Sequence, residues 1–194
     1  MWRSKMSVRI DIGVSGDEAS FSEAAAMQYI QSAGLNARII FLTDMERVLS
    51  AVEDGKIDLG IFPVANQKGG LVKMALKAMG NHPFTPVDDF WLNVQQCLMV
   101  KNGVTMRQIH KIVSHPQALA QCPTFIETKL PNVSRMEWED TAKAAADLAS
   151  GKLAADCAVI APKRAAELYG LDLLEEGIQD LKPNLTAFVV VKKK

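Results

Sequence analysis

Residues 43–63 read TDMERVLSAVEDGKIDLGIFP, and this stretch sets the fold class. Thr43 stands three residues before Glu46, the spacing of a capping box that opens a helix. Val48, Leu49 and Val52 recur at helical spacing, and Gly55 supplies the stop. The near-continuous apolar run from Ile57 to Pro63 then suits a parallel strand buried on both faces. Upstream, residues 8–13 (VRIDIG) alternate and are β-branched, which reads as a strand entering a glycine loop. Ser20 and Glu23 form another capping box ahead of an Ala-rich helix to Ala33, with Gly34 past its end, and residues 37–42 read as a strand. Strands alternating with helices predict a βαβ sheet with ligands at the carboxyl ends of its strands.

The second half follows the same grammar. Residues 111–114 are a short strand, and Pro116 sits in the first turn of a helix expected to run through Ala120 and Phe125. A strand over 133–138, a helix over 140–150 with Gly151 behind it, and a strand over 156–161 complete the set. Residues 139–152 (EDTAKAAADLASGK) align with residues 43–56: Asp140 matches Asp44, and Ala144, Ala145 and Leu148 match Val48, Leu49 and Val52. Gly151-Lys152 matches Gly55-Lys56, and each unit leads into a strand expected to end in proline, Pro63 or Pro162. Any helix with a Gly stop and a following strand shares this look; a repeated unit, in contrast, predicts two similar α/β lobes. The expected lobes are residues 1–80 with about 181–194, and residues 81–180, with 94–100 and 185–191 as crossings. No Pro/Gly/Ser-rich linker separates them, so they should share a cleft.

Composition removes several functions. The 194 residues carry 22 basic and 22 acidic side chains, so the net charge is zero and nucleic acid or an anionic membrane finds no electrostatic footprint. Apolar residues are 48% and charged residues 23%, the balance of a globular protein rather than a disordered one. No apolar run reaches the ~20 residues that span a bilayer, and no apolar segment follows the basic start as a signal peptide would require. Cys97, Cys122 and Cys157 are odd in number and far apart, so a reduced, cytoplasmic, soluble protein is expected.

Little in the chain suggests a metal or a redox cofactor. His82, His110 and His115 stand in no metal-ligand spacing, and there is no GxGxxG, Walker A or GxSxG motif. Polar loops after strands remain. Ser114 precedes Pro116 as a candidate N-cap, where free N–H groups would suit a carboxylate; capping its own helix explains it equally well. Ser20 has the same duality. Asn66 lies beyond Pro63, where an open α/β sheet places a ligand contact, although a turn asparagine has the same look.

Residues 113–122, VSHPQALAQC, strongly resemble the SHPQ-x-x-x-QC segment of prephenate dehydratases. Further matches follow in that family's order. Residues 13–25 (GVSGDEASFSEAA) resemble its opening GPxGTFSExAA loop, and residues 58–70 (DLGIFPVANQKGG) its Asp-x-Gly…Pro-x-Glu-Asn-Ser segment. Asp140-Thr141-Ala142 stands at Ser-Thr-Ala, residues 169–171 and 178–180 resemble the stretch before the last motif, and residues 184–188 (NLTAF) stand at Asn-x-Thr-Arg-Phe. The resemblance spans nearly the whole chain. It implies a two-lobed α/β fold, periplasmic-binding-protein-like (type II), with a ligand cleft between lobes. It implies decarboxylative dehydration of prephenate to phenylpyruvate in phenylalanine biosynthesis, a lyase reaction driven by aromatisation without cofactor or metal. Thr186 would be the hydroxyl that engages the leaving group. Ser20, Asn66, Ser114, Gln121 and Thr141 would bind or position substrate, and Phe188 would pack the cleft wall. A homodimer is implied as well.

The departures are specific. Ala65 stands where the family has Glu, Ala187 where it has Arg, and Ala19 where its loop has Gly. A lost cation at a carboxylate site costs roughly 1.5–3 kcal/mol of charge-assisted contact, and Lys68 is a candidate substitute. These losses keep two other readings open, a prephenate decarboxylase without aromatisation and a small-molecule-binding protein on the same scaffold. The family's phenylalanine-sensing ACT domain is expected to be missing after the final residues 188–194.

Overall fold

The computed structural model describes residues 9–194; Val8, the start of the expected first strand, and the basic start lie outside the described residues. The chain lays down β1 (Ile10–Ser15), α1 (Phe21–Ala33), β2 (Ala37–Leu42), α2 (Met45–Glu53), β3 (Leu59–Asn66), β4 (Gly70–Leu71), α3 (Lys73–Asn81) and β5 (Thr85–Asn93). It then crosses to β6 (Cys97–Val100), β7 (Lys111–Ser114), α4 (Pro116–Gln121), α5 (Pro123–Lys129), β8 (Ser134–Glu137), α6 (Thr141–Ala149), β9 (Cys157–Ala161), α7 (Lys163–Tyr169) and β10 (Asp172–Glu175). It returns as β11 (Leu185–Lys192). The strands form two sheets, ordered β2-β1-β3-β11-β5, with β4 beside β3, and β10-β6-β9-β7-β8.

The two sheets share one plan. β1 runs parallel between β2 and β3, as β7 does between β8 and β9, and an antiparallel strand borders each unit, β11 on β3 and β6 on β9. That antiparallel strand enters each sheet just after the chain has crossed from the other, so neither sheet is complete without the crossing. The matched units are equivalent in detail: α2 and α6 each span nine residues, with Asp44 and Asp140 as N-caps. Gly55 and Gly151 follow them at φ +69° and +83°, a backbone region that favours glycine.

Four expectations are corrected. The first lobe does not end at residue 80, because β5 pairs with β11 along its length and the crossing falls at 94–96. The helix expected from Pro116 through Phe125 breaks at Cys122 into α4 and α5, since Pro123 has no N–H to continue the ladder. β3 runs on past Pro63 to Asn66, because the pairing with β11 shifts register between Ala187 and Phe188 and the bulge tolerates the proline. The N-cap of α4 is His115, whose Nδ1 accepts from the Gln117 N–H at 3.2 Å, and not Ser114.

Each lobe buries apolar side chains on both faces of its sheet. Phe62 and Val191 pack against Val48 and Leu49 of α2 and against α3, while Ile12, Ile61, Phe188 and Val190 pack under α1. The second lobe buries Met99, Val113, Leu148 and Val159 on one face and Leu98, Ile112, Ile126 and Ile160 on the other. Each such side chain contributes about 1.5–3 kcal/mol when fully buried. Several contacts among the described residues tie the lobes together. The Ala19 methyl of the first lobe inserts into the second-lobe core. Glu23 of α1 takes Arg164 of α7 at 2.8 Å. Gly69 lies so close to Gln117 that a Cβ would meet its amide nitrogen at 2.7 Å. No described helix is long and apolar enough to cross a membrane.

Candidate active site

A cavity of about 600 Å³ opens between the lobes, a volume suited to a small organic ligand. Its walls include the start of α1, the Asn66–Val72 turn, the first crossing, the starts of α4 and α6, and β11. Ser20, Asn66, Gln121, Thr141, Thr186 and Phe188 all line it, so the fold gathers six of the seven expected residues from positions far apart in the chain. Ser114 is the exception. It has no exposed surface, and its hydroxyl donates to the Ile160 carbonyl at 2.6 Å across the β7–β9 strands.

Asn66 and Thr186 are cross-strand partners on β3 and β11, which sets their side chains on one face. The Asn66 Nδ2 group donates to Thr186 Oγ1 at 2.8 Å and to Asn184 Oδ1 at 3.1 Å. Its Oδ1 accepts from the Lys68 and Gly69 N–H groups at 3.0 and 2.9 Å, and from Gln121 Nε2 at 3.4 Å. Because an amide nitrogen only donates, Thr186 is an acceptor in this network and its own proton is left for the cavity.

Ser20 caps α1, its Oγ accepting from the Glu23 N–H at 3.3 Å. Glu23 reaches back to Ala19, not Ser20, accepting that N–H at 2.8 Å, so only half of the expected capping box forms. Ala19 adopts φ +64°, the left-handed region, which explains why glycine suits this position. The cap of α1 is a neutral hydroxyl, the one first-turn carboxylate, Glu23, is paired with Arg164, and Ser20, Phe21 and Ser22 line the cavity. The starts of α2 and α6 are different: Asp44 takes the Arg47 N–H, and Asp140 takes those of Ala142 and Lys143. Carboxylates already occupy those two helix ends, so a second anion is disfavoured there.

Phe188 is buried in the floor and stacks on Phe90 at 5.9 Å, which stacks on Tyr29 at 5.8 Å. Burial pushes the Cys122 thiol up to about 12, so it stays neutral and is not a nucleophile. Lys68 does not line the cavity; its ammonium lies 4.0 Å from Asp180. Lys73, the first residue of α3, is the described lysine that does line it. Among the described residues no group of three His, Cys, Asp or Glu is placed to hold a metal ion.

The sequence reading missed Gln96, His115 and Asn184. Gln96 lies in a crossing segment that carries no periodicity. Asn184 stands in the final motif without a signal of its own, and His115 is visible in SHPQ beside Ser114.

Comparison with known proteins matches residues 12–194 to the family model of prephenate dehydratase. The chain belongs to the prephenate dehydratase family. It is 37% identical over 182 residues to arogenate dehydratase 1 of Petunia hybrida, covering 94% of this chain and 42% of that protein. The chain therefore spans less than half the length of that curated relative. Among solved structures, the prephenate dehydratase of Arthrobacter aurescens in complex with L-Phe superposes with a TM-score of 0.86 at 26% identity, covering 95% of this chain and 61% of that one. A periplasmic substrate-binding protein of an ABC transporter from Coxiella burnetii shares the fold alone, with a TM-score of 0.52 at 17% identity over 94% of this chain and 84% of that one. The two-lobed, periplasmic-binding-protein-like fold is thus shown.

Membership recasts the two missing charges. Ala65 and Ala187 are directly opposite each other in the β3–β11 ladder, on the face away from Asn66 and Thr186, and neither lines the cavity. The family's Glu and Arg would face each other there as a cross-strand pair. In this chain neither position contributes a side chain to the cavity. Strand alternation, invisible in the motif alignment, decides this.

Proposed function

We propose that this chain carries the catalytic unit of a dehydratase that converts prephenate to phenylpyruvate in phenylalanine biosynthesis, with the aminated relative arogenate as the alternative substrate. The observation that carries this reading is the Thr186 hydroxyl, which accepts from Asn66 Nδ2 and so keeps its proton for the ring hydroxyl that leaves. As the ring carboxylate departs as carbon dioxide, its electron pair enters the ring and expels the protonated hydroxyl as water. Low dielectric around Phe188 favours release of the neutral gas over retention of the charged carboxylate. The start of α1 at Ser20 holds a substrate carboxylate, and Gln121 and Thr141 bound the ligand from the second lobe.

The name of the petunia relative supports a cyclohexadienyl acid as substrate. Two further properties belong to this proposal. A homodimer is supported by family resemblance and by the edge strand β5, on which Trp91 is 53% exposed. A reducing compartment such as the cytoplasm is supported by three free, buried cysteines. Incubation with prephenate and, separately, with arogenate tests the reaction, with carbon dioxide and the aromatic product followed together. Phenylpyruvate or phenylalanine in step with carbon dioxide is expected. Carbon dioxide without an aromatic product, or neither, refutes the dehydratase.

A further inference from the structure

Prephenate and arogenate each carry one carboxylate on the ring and one on the side chain, yet the cavity offers little positive charge to receive them. Among the described residues that line it, Lys73 is the one lysine or arginine. The acids on the wall are Asp44, Glu139 and Asp140. Asp44 and Asp140 are turned to their own helices, and Glu139 pairs with Lys143. Nothing of the kind holds Lys73. Among the described residues its ammonium makes neither an ion pair nor a hydrogen bond.

Its own helix gives no reason for a lysine there. Lys73 is the first residue of α3, at the end where the helix dipole is positive and repels a cation. Val72 makes no side-chain cap, and the first turn of α3 holds no acid. The starts of α1, α2 and α6 also border the cavity, and each carries an acid in its cap or first turn. A local preference broken beside a cavity is expected where function compensates it, and an anionic ligand would answer both the lysine and the helix end. Lys73 is exposed, as are Leu71 and Met74 near it, so this is the open edge of the cavity. Its flexible four-carbon stem gives the charge reach from that edge.

We infer that Lys73 is a substrate-binding residue, the cation that receives the side-chain carboxylate of the cyclohexadienyl acid. A cation on the ring carboxylate would stabilise the ground state more than the transition state, in which that charge has moved into the ring. Lys73 therefore serves the carboxylate that the product keeps. The uncharged Ser20 hydroxyl at the start of α1 is left for the one that departs. The inference rests on the dehydratase reading and adds to it a residue outside every motif match.

Lys73→Met, Lys73→Arg and Lys77→Met test it in the whole chain, on whichever of prephenate and arogenate is turned over. Lys77 is exposed on the same helix and does not line the cavity. Lys73→Met should raise KM about tenfold, the scale of one lost charge-assisted contact, with kcat within about threefold of the wild type. The aromatic product keeps the same carboxylate and should inhibit Lys73→Met more weakly by the same factor. Lys73→Arg keeps the charge and should restore most of the loss, and Lys77→Met should match the wild type. Unchanged KM in Lys73→Met, or an equal rise in Lys77→Met, overturns the inference while the dehydratase stands. A KM that rises with product inhibition unchanged overturns it too, since Lys73 would then hold the departing carboxylate. A wild type that yields no aromatic product overturns the dehydratase, and Lys73 is then judged on prephenate binding by calorimetry. Binding weakened about tenfold in Lys73→Met supports it; equal or absent binding overturns it.

Discussion

β1 in the first lobe and β7 in the second occupy the same place in their sheets, and both end in serine, Ser15 and Ser114. In the first lobe the loop 16–20 separates that serine from α1, and Ser15 and Ser20 both reach the cavity. In the second lobe α4 starts at Pro116, so Ser114 is drawn beneath it and spends its hydroxyl on the Ile160 carbonyl. The next strands diverge as well. β9 is buried throughout and stops before Pro162, whereas β3 passes its own proline through a bulge and delivers Asn66 to the cavity. One scaffold used twice thus yields a lobe that brings Asn66 and Thr186 to the cavity and a lobe that contributes mainly wall. Loop length and one bulge make the difference.

The comparison breaks if the reactive hydroxyl is not Thr186. Thr186→Val should lower kcat by about 10²–10⁴-fold, the range of a lost general acid, with little change in thermal midpoint. Ser114→Ala should leave kcat at the wild-type level, as measured in the same assay. The next largest effect falls on stability. Asn66→Leu strands the Lys68 and Gly69 N–H groups and Gln121 Nε2, and should cost about 2–4 kcal/mol in urea unfolding, the scale of a few buried unmet groups.

Coupling between the lobes is weaker. Arg164→Ala removes the partner of Glu23, yet the Arg164 side chain is 40% exposed and solvent screens the pair. A loss of about 1 kcal/mol is expected, with the lobes opening measurably in small-angle scattering. Ala65→Glu with Ala187→Arg should restore a cross-strand pair, the double variant exceeding the sum of the singles by about 0.2–1 kcal/mol in a double-mutant cycle. The smallest effect is confined to the α2–α3 edge of the first lobe. His82 lies 2.6 Å from Glu53 and 3.0 Å from Glu46, and the hydrogen bond to Glu53 above all raises its pKa. Its contribution is complete below the unfolded value of about 6.5 and is lost as pH rises through the raised folded value. The thermal midpoint of His82→Gln should therefore fall below that of the wild type at acidic pH and converge with it at alkaline pH.

The fold was largely legible because helix caps and periodicity are local. Asp44 and Asp140, matched by spacing alone, do cap equivalent helices, whereas most of the expected crossings 94–100 and 185–191 are the strands β6 and β11 that receive the chain after it has crossed. The residue-80 boundary failed because β5, with Pro86, Asp88 and Asp89, carries no strand alternation and is held by pairing with β11. The site was legible through motif order, which named six of its residues. Motif order cannot tell which side chain a helix start covers, so it offers Ser114 as N-cap and substrate contact where the structure has His115 as the cap.

The sequence by itself determined the α/β alternation, the paired units and the family, since each rests on the order of residue types along the chain. Only the tertiary structure decided which groups are spent and which are free. Ser114 is spent on a neighbouring strand, Thr186 accepts from Asn66, and Ala65 and Ala187 face each other. A hydrogen bond is settled by which donor meets which acceptor in space, and residues 66, 96, 121 and 186 meet only when both crossings bring two half-built sheets around one cavity.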